Sequence, residues 1–169
     1  MNRTDRDKNA PLTPAAALAR MERYCAYQDR CHSQVRAKLR EFPALDEQER
    51  ENIICLLIEN RFLDEERFAC SFARGKHRFN RWGRLRIERE LRARDIPPRL
   101  IATALDGIDP QEYQANFLDL FRQKEREVGG LHSRAQIAKI YNFMVSHGYE
   151  PDRIWDAVNV KRGENTETP

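Results

Sequence analysis

The apolar positions Leu91, Ile96, Ile101 and Leu105 return as Met144, Tyr149, Ile154 and Val158, each about 53 residues further along the chain. Ile87 returns as Ile140 at the same shift. Five matched positions carried across one turn exceed what a shared amphipathic period accounts for. Val35 and Leu39 precede Ile87 and Leu91 by about 52 residues, although a longer loop follows Leu39. A chain built this way folds as a row of small related units, each too small to close a large core alone. Three units are expected, near 13–62, 63–108 and 109–161, in an elongated body with room to curve. Residues 1–12 and 162–169 carry no apolar periodicity and are expected to be frayed tails.

The units read as helical. Thr13-Pro14 places an N-cap before a proline at the first helical position. Asp46 with Glu49, and Ser133 with Gln136, have the spacing of a capping box. Asp64 caps a helix whose first turn holds Glu65 and Glu66, where carboxylates favour the positive end of the dipole. Prolines at 98, 110 and 151 mark further starts, and Asn60-Arg61, Gly107, Gly129-Gly130 and Gly148 mark stops. Nine helices follow, near 14–27, 32–42, 46–60, 64–80, 83–95, 98–107, 110–128, 133–147 and 151–160. Strands lack support, since runs of alternating Val, Ile, Thr and aromatic residues are missing. Ile53 to Ile58 is the most concentrated apolar run, and it reads as a buried helix turn.

Charged residues make up 34% of the chain and hydrophobic ones 40%, a balance that suits long helices with one wet face. No apolar window reaches the length of a membrane span, and the start has no signal-peptide stretch, so a cytoplasmic location without membrane contact is expected. Cys25, Cys31, Cys55 and Cys70 form no CxxC pair and are expected as reduced thiols, with Cys55 and Cys70 on apolar faces. A metal site would have to recruit Cys25 or Cys31 with His32, which is a weak spacing.

The net charge of +3 conceals a segregation. Between Glu41 and Glu66 nine acids face two bases, whereas between Arg67 and Arg99 eleven bases face three acids. An anionic partner for the second stretch is the expectation. Within it Phe68, Phe72, Gly75 and Phe79 fall at i, i+4, i+7 and i+11, a buried stripe flanked by Arg67, Arg74, Arg78 and Arg81. In the next helix Ile87 and Leu91 face the core, with Arg86, Arg89 and Arg92 opposite. Arg84 and Arg94 border the core and are candidates for pairing with carboxylates. A guanidinium fork binds phosphate or carboxylate bidentately, so these seven arginines are the candidate contact face. The plainer alternative is a solvated face paired with Glu88, Glu90 and the earlier acids. Phe79 and Trp82 interrupt the basic run; they either complete the core and cover a turn, or offer a ring to a base.

Catalysis finds no foothold. His32, His77, His132 and His147 have no Cys, Ser or Asp partner at a motif spacing, and Arg74-Gly75-Lys76 lacks the first glycine of a phosphate-binding loop. No cofactor, no metal and no enzymatic activity are expected.

The segment from Asn60 to Leu105 resembles the bacterial RecX family of recombination regulators. The matching residues are Leu63-Asp64, Arg67-Phe68-Ala69, Gly83, Arg86-Ile87, Glu90-Leu91 and Ile96, with Asp95 where the family usually has glycine. Ser33 to Leu39 before it, and His147-Gly148-Tyr149 after it, also fit. The resemblance implies an all-α protein of three three-helix repeats that lies in the groove of the RecA–single-stranded DNA filament. It also implies inhibition of strand exchange and ATP hydrolysis by RecA, without chemistry of its own. The expected partner is therefore the RecA nucleoprotein filament, with single-stranded DNA bound indirectly or weakly, by a monomer. Two other readings stand beside it: a helical transcriptional regulator recognising duplex DNA, and a scaffold joining two proteins.

Overall fold

The structure, a computed structural model, describes residues 13–166. The segment 1–12, expected as a tail, and residues 167–169 lie outside the described residues. Among those described there are nine α-helices and no strand: α1 (Pro14–Tyr27), α2 (His32–Leu39), α3 (Glu47–Glu59), α4 (Glu65–Asn80), α5 (Arg84–Arg92), α6 (Pro98–Asp106), α7 (Pro110–Val128), α8 (Arg134–His147) and α9 (Pro151–Thr166). The fold is all-α. The last helix runs well past its expected end near 160, into the stretch read as a frayed tail.

The helix starts form as their side chains dictate. Asp46 Oδ1 accepts from the Glu49 amide at 2.8 Å while Glu49 Oε2 accepts from the Asp46 amide at 2.9 Å. Ser133 and Gln136 exchange the same pair of bonds, at 3.2 and 2.9 Å. Asp109 Oδ1 accepts from the amides of Gln111 and Glu112 at 2.7 and 2.8 Å. Each such cap satisfies backbone donors that the helix itself leaves open, and contributes about 1 kcal/mol.

The described residues divide into two compact units, one up to residue 68 and one from residue 69. In the first, α1, α2 and α3 pack pairwise. Their core holds Ala17, Met21, Cys25, Val35, Leu39, Ile53, Ile54 and Leu57, closed by Leu45 and Leu63. The run from 53 to 58 is buried only on one face. Ile53, Ile54 and Leu57 go inward, whereas Cys55, Leu56 and Ile58 are exposed. Helical geometry overrides local composition here, because six consecutive residues span more than a full turn and cannot all face one side. Cys55 is therefore not the packed thiol its sequence setting suggests.

In the second unit α5 packs on α6, α7 on α8, and α8 on α9. All but one of the repeated positions are core positions: Ile87, Leu91, Ile140, Met144, Tyr149 and Ile154 are fully buried, Ile96, Ile101 and Val158 nearly so, and Leu105 is half-buried. The turn between the helices repeats as well. Ile96 N–H donates to Leu91 O, and Tyr149 N–H donates to Met144 O, both at 3.2 Å. The residue before each donor is left-handed, with φ +60 at Asp95 and +87 at Gly148. That bond over a left-handed residue is the Schellman closure of a helix end.

Candidate functional site

The arginine-rich stretch forms α4 and α5. On α4 the inward residues are Phe68, Ala69, Ala73 and His77, and Phe79 is 82% exposed. The expected aromatic stripe is thus correct at Phe68 and wrong at Phe79. His77 occupies the inward place because both ring nitrogens are satisfied. Nδ1 lies 3.0 Å from Trp82 O and Nε2 lies 2.9 Å from Asn116 Nδ2. The Trp82 carbonyl only accepts, so Nδ1 carries the proton and Nε2 receives the Asn116 amide hydrogen. The ring also stacks on Tyr113, centroids 5.1 Å apart.

Tyr113 continues the network. Its hydroxyl accepts from the Arg84 amide at 3.1 Å and donates to the Glu150 carboxylate at 2.9 Å. Burial, the largest cause, pushes the Tyr113 phenol far above its ordinary range, so it remains a donor. A second junction lies beside it. The Gly83 amide donates to His147 O at 2.8 Å, and the Leu85 amide to Gly148 O at 3.0 Å. The opening donors of α5 are thereby satisfied by the closing carbonyls of α8, with dipoles aligned head to tail. The approach is too close for a side chain. A Cβ on Gly83 would lie 2.2 Å from Gly148 O, and one on Gly148 would lie 2.3 Å from Arg86 Cβ.

The seven candidate arginines separate by what they touch. Arg67 Nε binds Asp29 at 2.9 Å, and its Nη1 and Nη2 donate to Arg61 O at 3.2 Å, clamping the turn into α4. Arg86 Nη1 donates to Ser146 O at 3.2 Å, with its guanidinium 4.1 Å from the Trp82 ring centroid. Lys76 lies 5.0 Å from the same ring, so the cations of this chain already occupy Trp82. Arg78 meets Glu112 through two bonds, at 3.0 and 3.3 Å, and Arg92 meets Glu88 at 2.5 Å. Both of these pairs sit at the surface, where exchange for another anion costs little. The side chains of Arg74, Arg81 and Arg89 make no hydrogen bond or ion pair among the described residues. Arg74 and Arg89 are exposed and Arg81 half-buried. Of the two core-bordering arginines, Arg94 binds Glu90 at 2.9 Å and holds that carboxyl below its ordinary value, whereas Arg84 lies over the Tyr113 ring.

Among the described residues no group of three or more His, Cys, Asp or Glu is placed to hold a metal, and no helix is long and apolar enough to cross a membrane.

The family model for the second three-helix domain of RecX matches residues 64–105, the segment just described. That segment therefore carries a RecX second three-helix domain. Two solved structures share its fold. A crystal structure of regulatory protein RecX is 23% identical, with TM-score 0.75, covering 86% of this chain and 71% of its own. The crystal structure of RecX from Lactobacillus salivarius is 20% identical, also with TM-score 0.75, covering 87% of this chain and 97% of its own. No curated protein sequence gives a match.

The RecX motif residues have structural tasks in this chain. Asp64 Oδ1 caps α4 through the Arg67 amide at 2.8 Å, Arg67 clamps the preceding turn, Gly83 and Arg86 make the junction with α8, and Glu90 anchors Arg94. Asp95 sits at a left-handed position, the physical reason glycine suits it. The Tyr113–Glu150 and His77–Asn116 bonds were not legible beforehand, since they join residues 37 and 39 apart with no shared motif. The one available signal was His77 itself, four residues after Ala73 on the inward edge.

Proposed function

We propose that this chain binds the RecA–single-stranded DNA filament and restrains the recombinase and ATPase activities of RecA. One observation supports the reading above others: the RecX second-domain match coincides with the basic α4–α5 segment. The contact face centres on Arg74, Arg81 and Arg89. Arg78 and Arg92 join it by exchanging Glu112 and Glu88 for partner anions, while Arg67 and Arg86 act mainly by holding the fold. Phe79, exposed between Arg78 and Arg81 in sequence, offers an aromatic surface at the same place. The proposal keeps three three-helix units, near 13–62, 63–108 and 109–161, and a monomeric, non-catalytic protein.

The test is a strand-exchange and ATPase assay with RecA, titrated with this protein. Inhibition at or below stoichiometric protein is expected, and no effect at that ratio overturns the reading. The combined variant R74E/R81E/R89E should lose most of the inhibition while retaining its melting temperature. Protection of a specific duplex sequence without RecA would instead favour a transcriptional regulator. Salt dependence identifies the partner group. Contacts with single-strand phosphates lower the slope of log affinity against log salt by about 0.7 each.

A further inference from the structure

We propose that the groove between α7 and α9 seats α1 of a second copy of this chain, so that copies join head to tail. The groove is the open counterpart of a joint already made within the second unit. There α7 lies against α4, with His77 bound to Asn116 and stacked on Tyr113, and Arg78 bound to Glu112. Asp64 and Asp109 cap these two helices from places 45 residues apart. In that register the inward α4 residues Ala69, Ala73 and His77 recur in α7 as Gln114, Leu118 and Arg122. All three line the groove, which has a volume of about 680 Å³ and an apolar lining completed by Phe117, Phe121, Ala157 and Val160. The edge of α4 is covered by α7, whereas Val160 in the groove is 61% exposed. The end face of a stack of helical units stays soluble alone when it is polar, and this one is apolar along its length. A helix is therefore the element that fits it.

The chain itself carries a matching helix. Thr13-Pro14 opens α1 as Asp109-Pro110 opens α7, a capping side chain before a proline, 96 residues apart. In that register Ala17, Met21 and Cys25 of α1 match Tyr113, Phe117 and Phe121 of α7, and all of them are buried. Glu112 and Asn116, by which α7 meets α4, match Ala16 and Arg20, which are both exposed. A side chain as small as that of Ala16 lets two helices approach closely. Charge fits as well. The bases of the groove are engaged: Arg153 lies 3.7 Å from Glu150, Arg122 lies 4.0 Å from Asp119, and Lys161 has a partner of its own. The Asp156 carboxylate on the rim makes no hydrogen bond or ion pair among the described residues, and neither does the Arg20 guanidinium, so each can neutralise the other. Residues 1–12 and 167–169 have no apolar stripe to offer in place of α1. The two copies use different surfaces, so the contact propagates as an open row rather than closing as a twofold pair. One helix in one groove is a small interface, and the chain is monomeric when dilute.

The experiment follows the full chain by sedimentation velocity over a wide range of protein concentration. The average mass should rise with concentration and pass beyond that of a dimer. V160E in the groove and A16E/R20E on α1 change exposed residues, so each should melt close to the parent and yet stay monomeric. Mixing these two variants in equal amounts is the decisive step. One keeps an intact α1 and the other an intact groove, so a single joint forms and the mass stops at a dimer. The proposal is overturned if the parent is monomeric at its highest soluble concentration, if the parent stops at a dimer, if V160E associates like the parent, or if the mixture does not pair. A monomeric parent whose V160E variant loses RecA inhibition would give the groove to RecA instead. The proposal does not rest on the RecA reading, and a chain that associates without inhibiting RecA refutes that reading alone.

Discussion

The helix pairs α5–α6 and α8–α9 share a buried frame and differ in everything they present outward. Leu91, Ile96 and Ile101 in one, and Met144, Tyr149 and Ile154 in the other, close the same turn over a left-handed residue. On the outside, α5 carries Arg89 and Arg92, whereas α8 and α9 carry Tyr141 and Trp155. Packing fixes the first set, because a core position tolerates little change in volume or polarity. The outer set is free to diverge. Partner chemistry is therefore to be sought in the differences between repeats, and stability in their likeness.

The turn itself sharpens the comparison. Asp95 and Gly148 occupy equivalent places, but Asp95 is exposed whereas the backbone of Arg86 lies against Gly148. Gly148→Ala should be the most damaging single change, combining left-handed strain with a steric clash, at about 3 kcal/mol by denaturant unfolding. Gly83→Ala, which meets the same junction without the strain, should cost about 1–3 kcal/mol. If either is tolerated at under about 1 kcal/mol, the end-to-end joining of α5 and α8 is not what holds the second unit together.

Next in size is Tyr113→Phe, which strands the Arg84 amide and removes a donor from Glu150. A loss of about 1–2 kcal/mol is expected, measured the same way. Asp95→Gly should move in the other direction. Relief of left-handed strain is partly offset by a freer unfolded chain, leaving a gain of about 0.5 kcal/mol in a thermal or denaturant melt. Asp95→Gly thus stabilises while Gly148→Ala destabilises, and equal responses at the two sites would break the equivalence of the turns.

The smallest effect is electrostatic. The Arg94 hydrogen bond holds the Glu90 carboxyl below its ordinary value of 4.5. Its stabilisation is therefore present above that value and is lost as pH falls through the lower, folded-state value. Glu90→Gln should melt slightly below the parent at neutral pH, and the gap should close in acid. The pair is partly exposed, so the gap is small and sensitive to salt.

Most of the helix boundaries and caps were legible because each rests on residues within one turn of one another, such as Asp46 with Glu49. The repeat was legible because buried positions keep their spacing. Three things were misread or invisible. Phe79 looked like core and is exposed, because hydrophobicity ranks phenylalanine above histidine and cannot see that His77 has a partner for each nitrogen. The exposed half of the run from 53 to 58 was hidden by its composition. The Tyr141–Trp155 pair was not singled out, since the rings lie on different helices and no motif joins them.

The sequence by itself determined nine helices, their caps, the recurrence of core positions and a concentration of arginines between residues 67 and 99. All of these follow from short-range geometry and from counting. Tertiary structure decided which arginines are spoken for, since Arg67 and Arg86 find their anchors 5 to 60 residues away while Arg74, Arg81 and Arg89 find none. It also decided why Gly83 and Gly148 are glycines, because the reason is a contact between two backbones distant in the chain. Long-range pairing depends on how helices pack, and a local pattern carries no record of it.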